Sequence, residues 1–257
     1  MDSFFLLDGF EDDEKHVGWS GGTAIDSKKN RLNEAIIGRD NFKQLVWLEK
    51  ALDASKRVAK IDGCIEATGF MIAKNLFITN HHVFDSAKKA ARCDLWFNYR
   101  KAFDGKLSDV DYWRVDSGSL YESNEELDYA IVKVFPNDQG RDAGDVWGYF
   151  DISIDAEIKK NERANIIQHP EGRKQEIAFR DNQIKAIGSN YLQYVTDTQP
   201  GSSGSPVLND DFEVIAMHSG SIADPDSPDR KWYRNHGFLI SAIYEELKDI
   251  INSLDKR

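Results

Sequence analysis

Two cysteines among 257 residues are too few for a disulfide framework, and Cys64 and Cys93 can form one pair at most. A tetrahedral zinc site would need further ligands at regular spacing, which the sequence does not supply. The expectation is two free, partly buried thiols in a reducing compartment. Long hydrophobic runs are missing too, since no stretch approaches the roughly 20 apolar residues that cross a bilayer. The segment MDSFFLLDGFEDDEK holds a short apolar run, but no basic residue precedes it and Asp8 interrupts it, so it does not read as a secretory signal. Positive charge is in deficit, with 33 Lys and Arg against 44 Asp and Glu and a formal charge of −11. Such a surface repels a phosphate backbone, which proteins meet with clustered basic residues. Neither nucleic acid nor membrane is therefore an expected partner, and the expected location is the cytoplasm. With 40% hydrophobic and 30% charged residues and a mean hydropathy of −0.56, what remains is a water-soluble chain, long enough for one large domain or two small ones.

The first thirty residues are polar and Gly-rich without sustained periodicity, and the acidic run Glu11, Asp12, Asp13 and Glu14 reads as a solvated arm. Asn41 and Gln44 form a plausible capping box, with Leu45, Leu48 and Leu52 on one helical stripe behind it. These predict a helix over 42–57 that packs on the rest of the protein. From Ile61 onward the chain becomes a series of short β-rich runs: EATGFMIA, LFITN, CDLWFNY, LDYAIVKVF, ANIIQHP, YLQYVTD, SPVL, FEVIAMHSG and HGFLIS. Asn209, Asp210 and Asp211 lie between SPVL and FEVIAM as a hairpin turn, predicting antiparallel neighbours. Ile243, Leu247, Ile250, Ile251 and Leu254 fall on one face of a C-terminal amphipathic helix. The fold class is all-β, and neither repeats nor low-complexity segments occur.

The sharpest local signal is PGSSGSPV at 200–207. Gly201 and Gly204 allow a tight turn in which the amides of Gly201 and Ser203 point together at a developing oxyanion, with Ser203 as nucleophile. A serine hydroxyl needs an adjacent base. TNHHVF supplies an imidazole at the end of the strand LFIT, and Asp128, which opens the apolar strand of LDYAIVKVF, supplies a carboxylate to fix its tautomer. Taken alone, LDYA reads better as a strand-initiating turn Asp. The order His, Asp, Ser, separated by 46 and 75 residues, is more specific than any part.

TNHHV, LDYAIV and PGSSGSPV resemble the three signature segments of trypsin-like peptidases. ATGFMI and GSSGSPVLNDDFEVIAMHSG further resemble the bacterial branch that includes glutamyl endopeptidases. The similarity covers roughly residues 60–245. It implies two six-stranded antiparallel β-barrels, with His82 and Asp128 from the first and Ser203 from the second. The expected organisation is an N-terminal arm and helix over 1–57 and a peptidase over 58–257. Within the latter, the barrels span about 58–136 and 145–240 and the terminal helix about 241–254. In this alignment His82, directly before Val83, is the catalytic histidine, and His81 a surface residue. Trypsin's activating Asp, immediately before the nucleophile, is replaced here by Ser202, so the site must be pre-formed or ordered by something else.

The substrate-binding positions implied are Asp197, Thr198, His218 and Gly220. Thr198 and His218 match positions through which glutamyl endopeptidases hold an acidic side chain, whereas Asp197 matches the position from which trypsin binds Lys or Arg. Both readings stay open, with a lean toward cleavage after Glu or Asp. NIIQHPEGRKQEIAF, YVTDTQPGSSGSPV and the helical LVWLEKALDASKRVAKI also resemble peptidase domains of bacterial conflict and defence systems. That resemblance implies a regulated intracellular endopeptidase in antiphage defence, with a protein substrate and an activating partner or sensor domain. No metal or cofactor is expected: HExxH is absent, and the adjacent His81 and His82 project apart on a strand. His16, His169 and His236 are assigned structural or surface roles. The order His, Asp, Ser argues against an α/β-hydrolase esterase. The rival from another class is a catalytically silent scaffold or binding module on the same fold.

Overall fold

A computed structural model describes residues 42–153, 156–223 and 232–254. The N-terminal arm, including Asn41 and His16, lies outside the described residues. Helix α1 (Val46–Lys56) leads into six strands, β1 (Val58–Asp62), β2 (Ala67–Ala73), β3 (Leu76–Thr79), β4 (Asp94–Phe97), β5 (Asp111–Asn124) and β6 (Tyr129–Val134), with the short helix α2 (Ala87–Ala90) between β3 and β4. They close into a barrel in the order β1-β2-β3-β6-β5-β4, antiparallel throughout.

After α3 (Ala143–Trp147) come β7 (Asn165–Gln168), β8 (Glu176–Ala178), β9 (Ile184–Ile187), β10 (Tyr191–Tyr194), β11 (Pro206–Leu208), β12 (Val214–Ala223) and β13 (Trp232–Leu239), then α4 (Ile240–Leu254). These seven strands form one curled sheet, ordered β8-β7-β11-β12-β13-β10-β9, so the second body is a half-barrel of seven strands where six were expected. The all-β double-barrel class stands. β11 and β12 pair antiparallel across the 209–211 turn, with Val207 opposite Ala216.

Strands β2, β3 and β6 are buried along almost their whole length, which is why they read as continuous apolar runs and not as alternating ones. Alternation decides which core each side chain enters. Met71, Phe77 and Val132 fill the barrel, while Phe70, Ile78 and Ile131 turn outward into a seam they share with Leu208, Met217 and Phe238 of the second sheet. Ile243 and Leu247 of α4 complete that seam, and Glu246 on the same helix accepts from the Tyr129 hydroxyl at 2.8 Å.

The N-terminal helix departs from expectation. Leu45, Leu48 and Leu52 are 80%, 53% and 57% exposed, and it is Trp47, Ala51 and Ala54 that face inward. Trp47 decides the rotation, because its ring has more area to bury than a leucine and meets Phe212 at 5.0 Å and Phe179 at 5.8 Å. Lys43 and Lys50 reach Asp210 and Asp211, which fastens the helix to the β11–β12 turn.

The cysteines also depart. Cys64 and Cys93 form a disulfide, with Cα atoms 5.2 Å apart, and are not free thiols. The register of β1 on β4 explains it: Asp62 lies opposite Asp94, so the residues just beyond meet at the end of the ladder. The bond ties the β1–β2 turn to the end of α2.

Trp47→Ala should lower unfolding free energy by about 2 kcal/mol, below the full core range because the ring is part-exposed. Leu48→Ala should change it by less than about 0.5 kcal/mol; comparable losses in urea melts would mean that the leucine face carries the packing. Thiol titration of denatured protein should find no reactive cysteine before reduction and two after it. Reduction, opening a link that spans 29 residues, should cost about 3 to 4 kcal/mol. Two reactive thiols without reductant would contradict the pairing.

Candidate functional site

The turn after β3 is held by the Asn80 carbonyl, which accepts from the amides of Val83 and Phe84 at 3.2 and 3.1 Å. Val83 and Phe84 are buried beneath it, so His82 is left on the rim with its side chain 46% exposed. Asp128 stands directly before β6 in the left-handed region, φ 45°, a conformation that Asp tolerates better than most residues. Asn80 fixes it by donating Nδ2–H to the Asp128 carbonyl at 3.0 Å.

The Asp128 carboxylate lies 2.9 Å from His82 Nδ1 and also accepts the His82 amide at 3.1 Å. Ser219 Oγ donates to Oδ2, the oxygen nearest His82 Nδ1, while the amide donates to Oδ1. A carboxylate only accepts, so the proton sits on Nδ1, and the lone pair of Nε2 is left on the opposite edge of the ring.

Ser203 sits in a turn whose backbone is nearly all accounted for. The Ser202 amide donates to Gln199 O and that of Gly204 to His218 O, each at 2.9 Å, while the carbonyls of Pro200 and Ser203 accept from Glu171 N and Thr68 N. Among the described residues, the amides of Gly201 and Ser203 have no acceptor in the protein. Gly201 and Gly204 take φ 95° and 83°. A Cβ at Gly204 would stand 2.2 Å from Thr68 O and Thr79 Oγ1, and one at Gly201 2.7 Å from His169 O. Both positions therefore need glycine for space as well as for conformation.

These hydrogen bonds join His82 to Asp128 and tie the Ser203 turn to the strands that carry them, while among the described residues no hydrogen bond links Ser203 to His82. Thr79 Oγ1, at the end of the strand leading to His82, donates to Thr68 O at 2.7 Å, and Thr68 N holds Ser203 O at 3.0 Å. From the other side, β12 offers His218 O to the serine turn and Ser219 Oγ to Asp128. Sequence reasoning missed Ser219, Thr68 and Asn80. The available signals were a serine on the strand face opposite His218 and polar residues inside otherwise apolar runs.

The expected substrate-binding residues differ in exposure and in partners. His218 is buried, with Nδ1 2.7 Å from Tyr194 Oη, and the Tyr194 hydroxyl reaches the His236 carbonyl at 3.2 Å. If Tyr194 O–H donates to that carbonyl, His218 Nδ1–H donates to Tyr194. Burial, then the neighbouring His236 and His82, push the His218 pKa down to about 3. Gly220 lies opposite His236 in the β12–β13 ladder. Asp197 is exposed and lines, with Thr198, Gln168, Pro170 and Phe179, a groove of about 530 Å³. His169 is buried behind the Gly201 turn with Nδ1 3.0 Å from Arg173 O, and burial pushes its pKa down to about 4.

His169 and His218 are neutral when folded and regain an ordinary pKa near 6.5 when unfolded, and burial lowers His236 in the same direction. The unfolded state then binds more protons, so stability is fully present above about pH 6.5 and falls as the pH drops toward 4. Urea midpoints measured from pH 7.5 down to 4.5 should show this fall, and His169→Asn should make it shallower; an unchanged slope would contradict the assignment of His169.

The sequence profile of the trypsin-like peptidase domain matches residues 67–217. The uncharacterized protein y4fB of Sinorhizobium fredii is 30% identical over 210 residues, covering 74% of this chain and 32% of that protein. A glutamyl endopeptidase of Staphylococcus aureus is 28% identical over 163 residues, covering 62% of this chain and 48% of that protein. The chain thus spans about a third to a half of these curated relatives. The crystal structure of the serine endoprotease from Yersinia pestis superposes with a TM-score of 0.59 at 16% identity, over 80% of this chain and 66% of that one. With more than half of its length matched by the profile and the double-barrel fold in place, this chain belongs to the trypsin-like peptidase domain family.

Proposed function

We propose that this chain is a serine endopeptidase in which Ser203 is the nucleophile, His82 the general base and Asp128 the residue that orients it. The observation that carries the reading is the His82–Asp128 pair. At 2.9 Å from a carboxylate that also accepts the His82 amide and the Ser219 hydroxyl, the imidazole is held with Nδ1 protonated and Nε2 basic. Nε2 takes the Ser203 proton as Oγ attacks the substrate carbonyl, then returns it to the leaving amine. Water repeats the sequence on the acyl-enzyme. The unengaged amides of Gly201 and Ser203 donate to the oxyanion, an effect worth about 10²- to 10³-fold per donor. No cofactor takes part.

Cleavage after Glu or Asp is the preferred specificity. The likeness to glutamyl endopeptidases supports it, and so does the exposed Asp197 carboxylate, which shares no hydrogen bond with buried His218 and leaves that imidazole to Tyr194. A substrate carboxylate near His218 would raise the imidazole's pKa and draw a proton onto it. Activation by trypsin's ion pair is closed off, because Ser202 has no carboxylate to receive an amine; its Oγ instead accepts the Gln199 amide at 3.1 Å. Control by a partner or sensor domain, a cytoplasmic setting and a role in antiphage defence belong to the same proposal. They rest on the family resemblance and the charge balance, and the Cys64–Cys93 pair removes the support that free thiols would have lent to a reducing compartment.

Cleavage of an unbiased peptide library by the purified chain, read by mass spectrometry, should give cuts after Glu and Asp. These should vanish in Ser203→Ala and fall by about 10⁴-fold in Asp128→Asn. Cuts after Lys or Arg that disappear in Asp197→Asn would move the specificity to Asp197. Cleavage unaffected by Ser203→Ala would remove the nucleophile. Expression of the same pair in a phage-challenged bacterial host tests the setting, with protection expected only from the unaltered chain.

A further inference from the structure

Every polar atom of Thr68 is spent at the seam. Its amide donates to Ser203 O at 3.0 Å and its carbonyl accepts from Thr79 Oγ1 at 2.7 Å. Its hydroxyl donates to Gly201 O at 2.8 Å and accepts the His169 amide at 3.0 Å. Thr68 is fully buried, so no water competes for these groups and each has a single arrangement that satisfies it.

The orientation of the Gly201 amide depends on that arrangement. The Pro200–Gly201 peptide is trans, so its N–H points away from its carbonyl. That carbonyl is captured by Glu171 N at 2.5 Å, in a loop where Glu171 and Gly172 are both left-handed, at φ 51° and 63°. The Gly201 N–H is thereby aimed away from the loop. The loop itself is anchored at its start by His169 N on the Thr68 hydroxyl. One hydroxyl therefore fixes both sides of the hinge, the carbonyl that follows Gly201 Cα and the loop that holds the carbonyl before it.

We infer that the Thr68 side chain is a positioning residue for the oxyanion turn: by bridging Gly201 O and His169 N it holds the Pro200–Gly201 peptide with its N–H toward the reacting carbonyl. This rests on the endopeptidase reading above, and extends the reacting machinery to a residue on the opposite barrel that touches no substrate atom. Valine matches threonine in shape, so Thr68→Val deletes the hydroxyl alone, and Thr68→Ser keeps it.

Turnover of fluorescent casein should fall by about 10- to 100-fold in kcat for Thr68→Val, a fraction of what loss of an oxyanion donor costs. KM should stay within about twofold, the acid limb of the pH profile should be unmoved, and Thr68→Ser should restore most of the rate. In nitrogen-15 glycine-labelled protein, the Gly201 amide resonance should shift in Thr68→Val and return in Thr68→Ser. An unmoved Gly201 resonance, or a kcat that Thr68→Val leaves unchanged, overturns the inference. If neither the unaltered chain nor any variant turns over casein, the endopeptidase reading fails by itself. The resonance then decides the positioning role, because it requires no catalysis.

Discussion

A buried turn must satisfy its own backbone, and here that requirement is met from the opposite body of the molecule. The Ser203 loop donates and accepts through Gln199, Glu171, His218 and Thr68 until the amides of Gly201 and Ser203 are the ones left over. Gly201 and Ser203 are part-exposed, unlike the buried Ser202 and Gly204, so their two amides are left open at little cost while the seam holds the turn's other groups in place. Docking the closed barrel against the curled sheet buries Phe70, Ile78, Ile131, Leu208 and Met217 in the same seam. Burial of these side chains, worth roughly 1.5 to 3 kcal/mol each, holds the polar network dry and in register.

The same economy shapes the histidine side. His82 is surface-exposed and soft by itself, yet three donors converge on one carboxylate: its ring, its amide and Ser219 Oγ. Asp128 is strained in φ and clamped by Asn80, which sits in the turn that carries His82. Two loops from one barrel and a strand from the other sheet thus define one point in space, as a reaction that joins a base to a nucleophile requires.

Much of this was legible in the sequence because the relevant signals are local. Glycines at 201 and 204 announce a turn that no other residue fits, and the runs LFIT and YAIVKV announce strands buried on both faces. What was not legible depends on pairs far apart in the chain. The inward face of α1 was misread because Leu45, Leu48 and Leu52 form the more regular stripe, while the partners that claim Trp47, Phe179 and Phe212, lie more than a hundred residues away. Pairing of Cys64 with Cys93 needed the β1–β4 register, which composition cannot supply. Strand β1 was missed because Val58–Ile61 continued the helical reading of the segment before it, and strands β5, β8 and β9 because polar and charged residues interrupt their apolar pattern, as the mixed burial along β5 shows. Thr68 and Ser219 looked like ordinary strand residues, since a side-chain hydroxyl declares its role only once its acceptor is placed.

The most direct measurement is the site of modification by a fluorophosphonate, found by peptide mass spectrometry on the unaltered chain and on His82→Ala. A single adduct on Ser203 that is lost in His82→Ala would show that the seam delivers an activated serine beside a working base. An adduct elsewhere, or labelling of Ser203 undiminished in His82→Ala, would contradict the account, because the serine would then owe nothing to the His82–Asp128 pair.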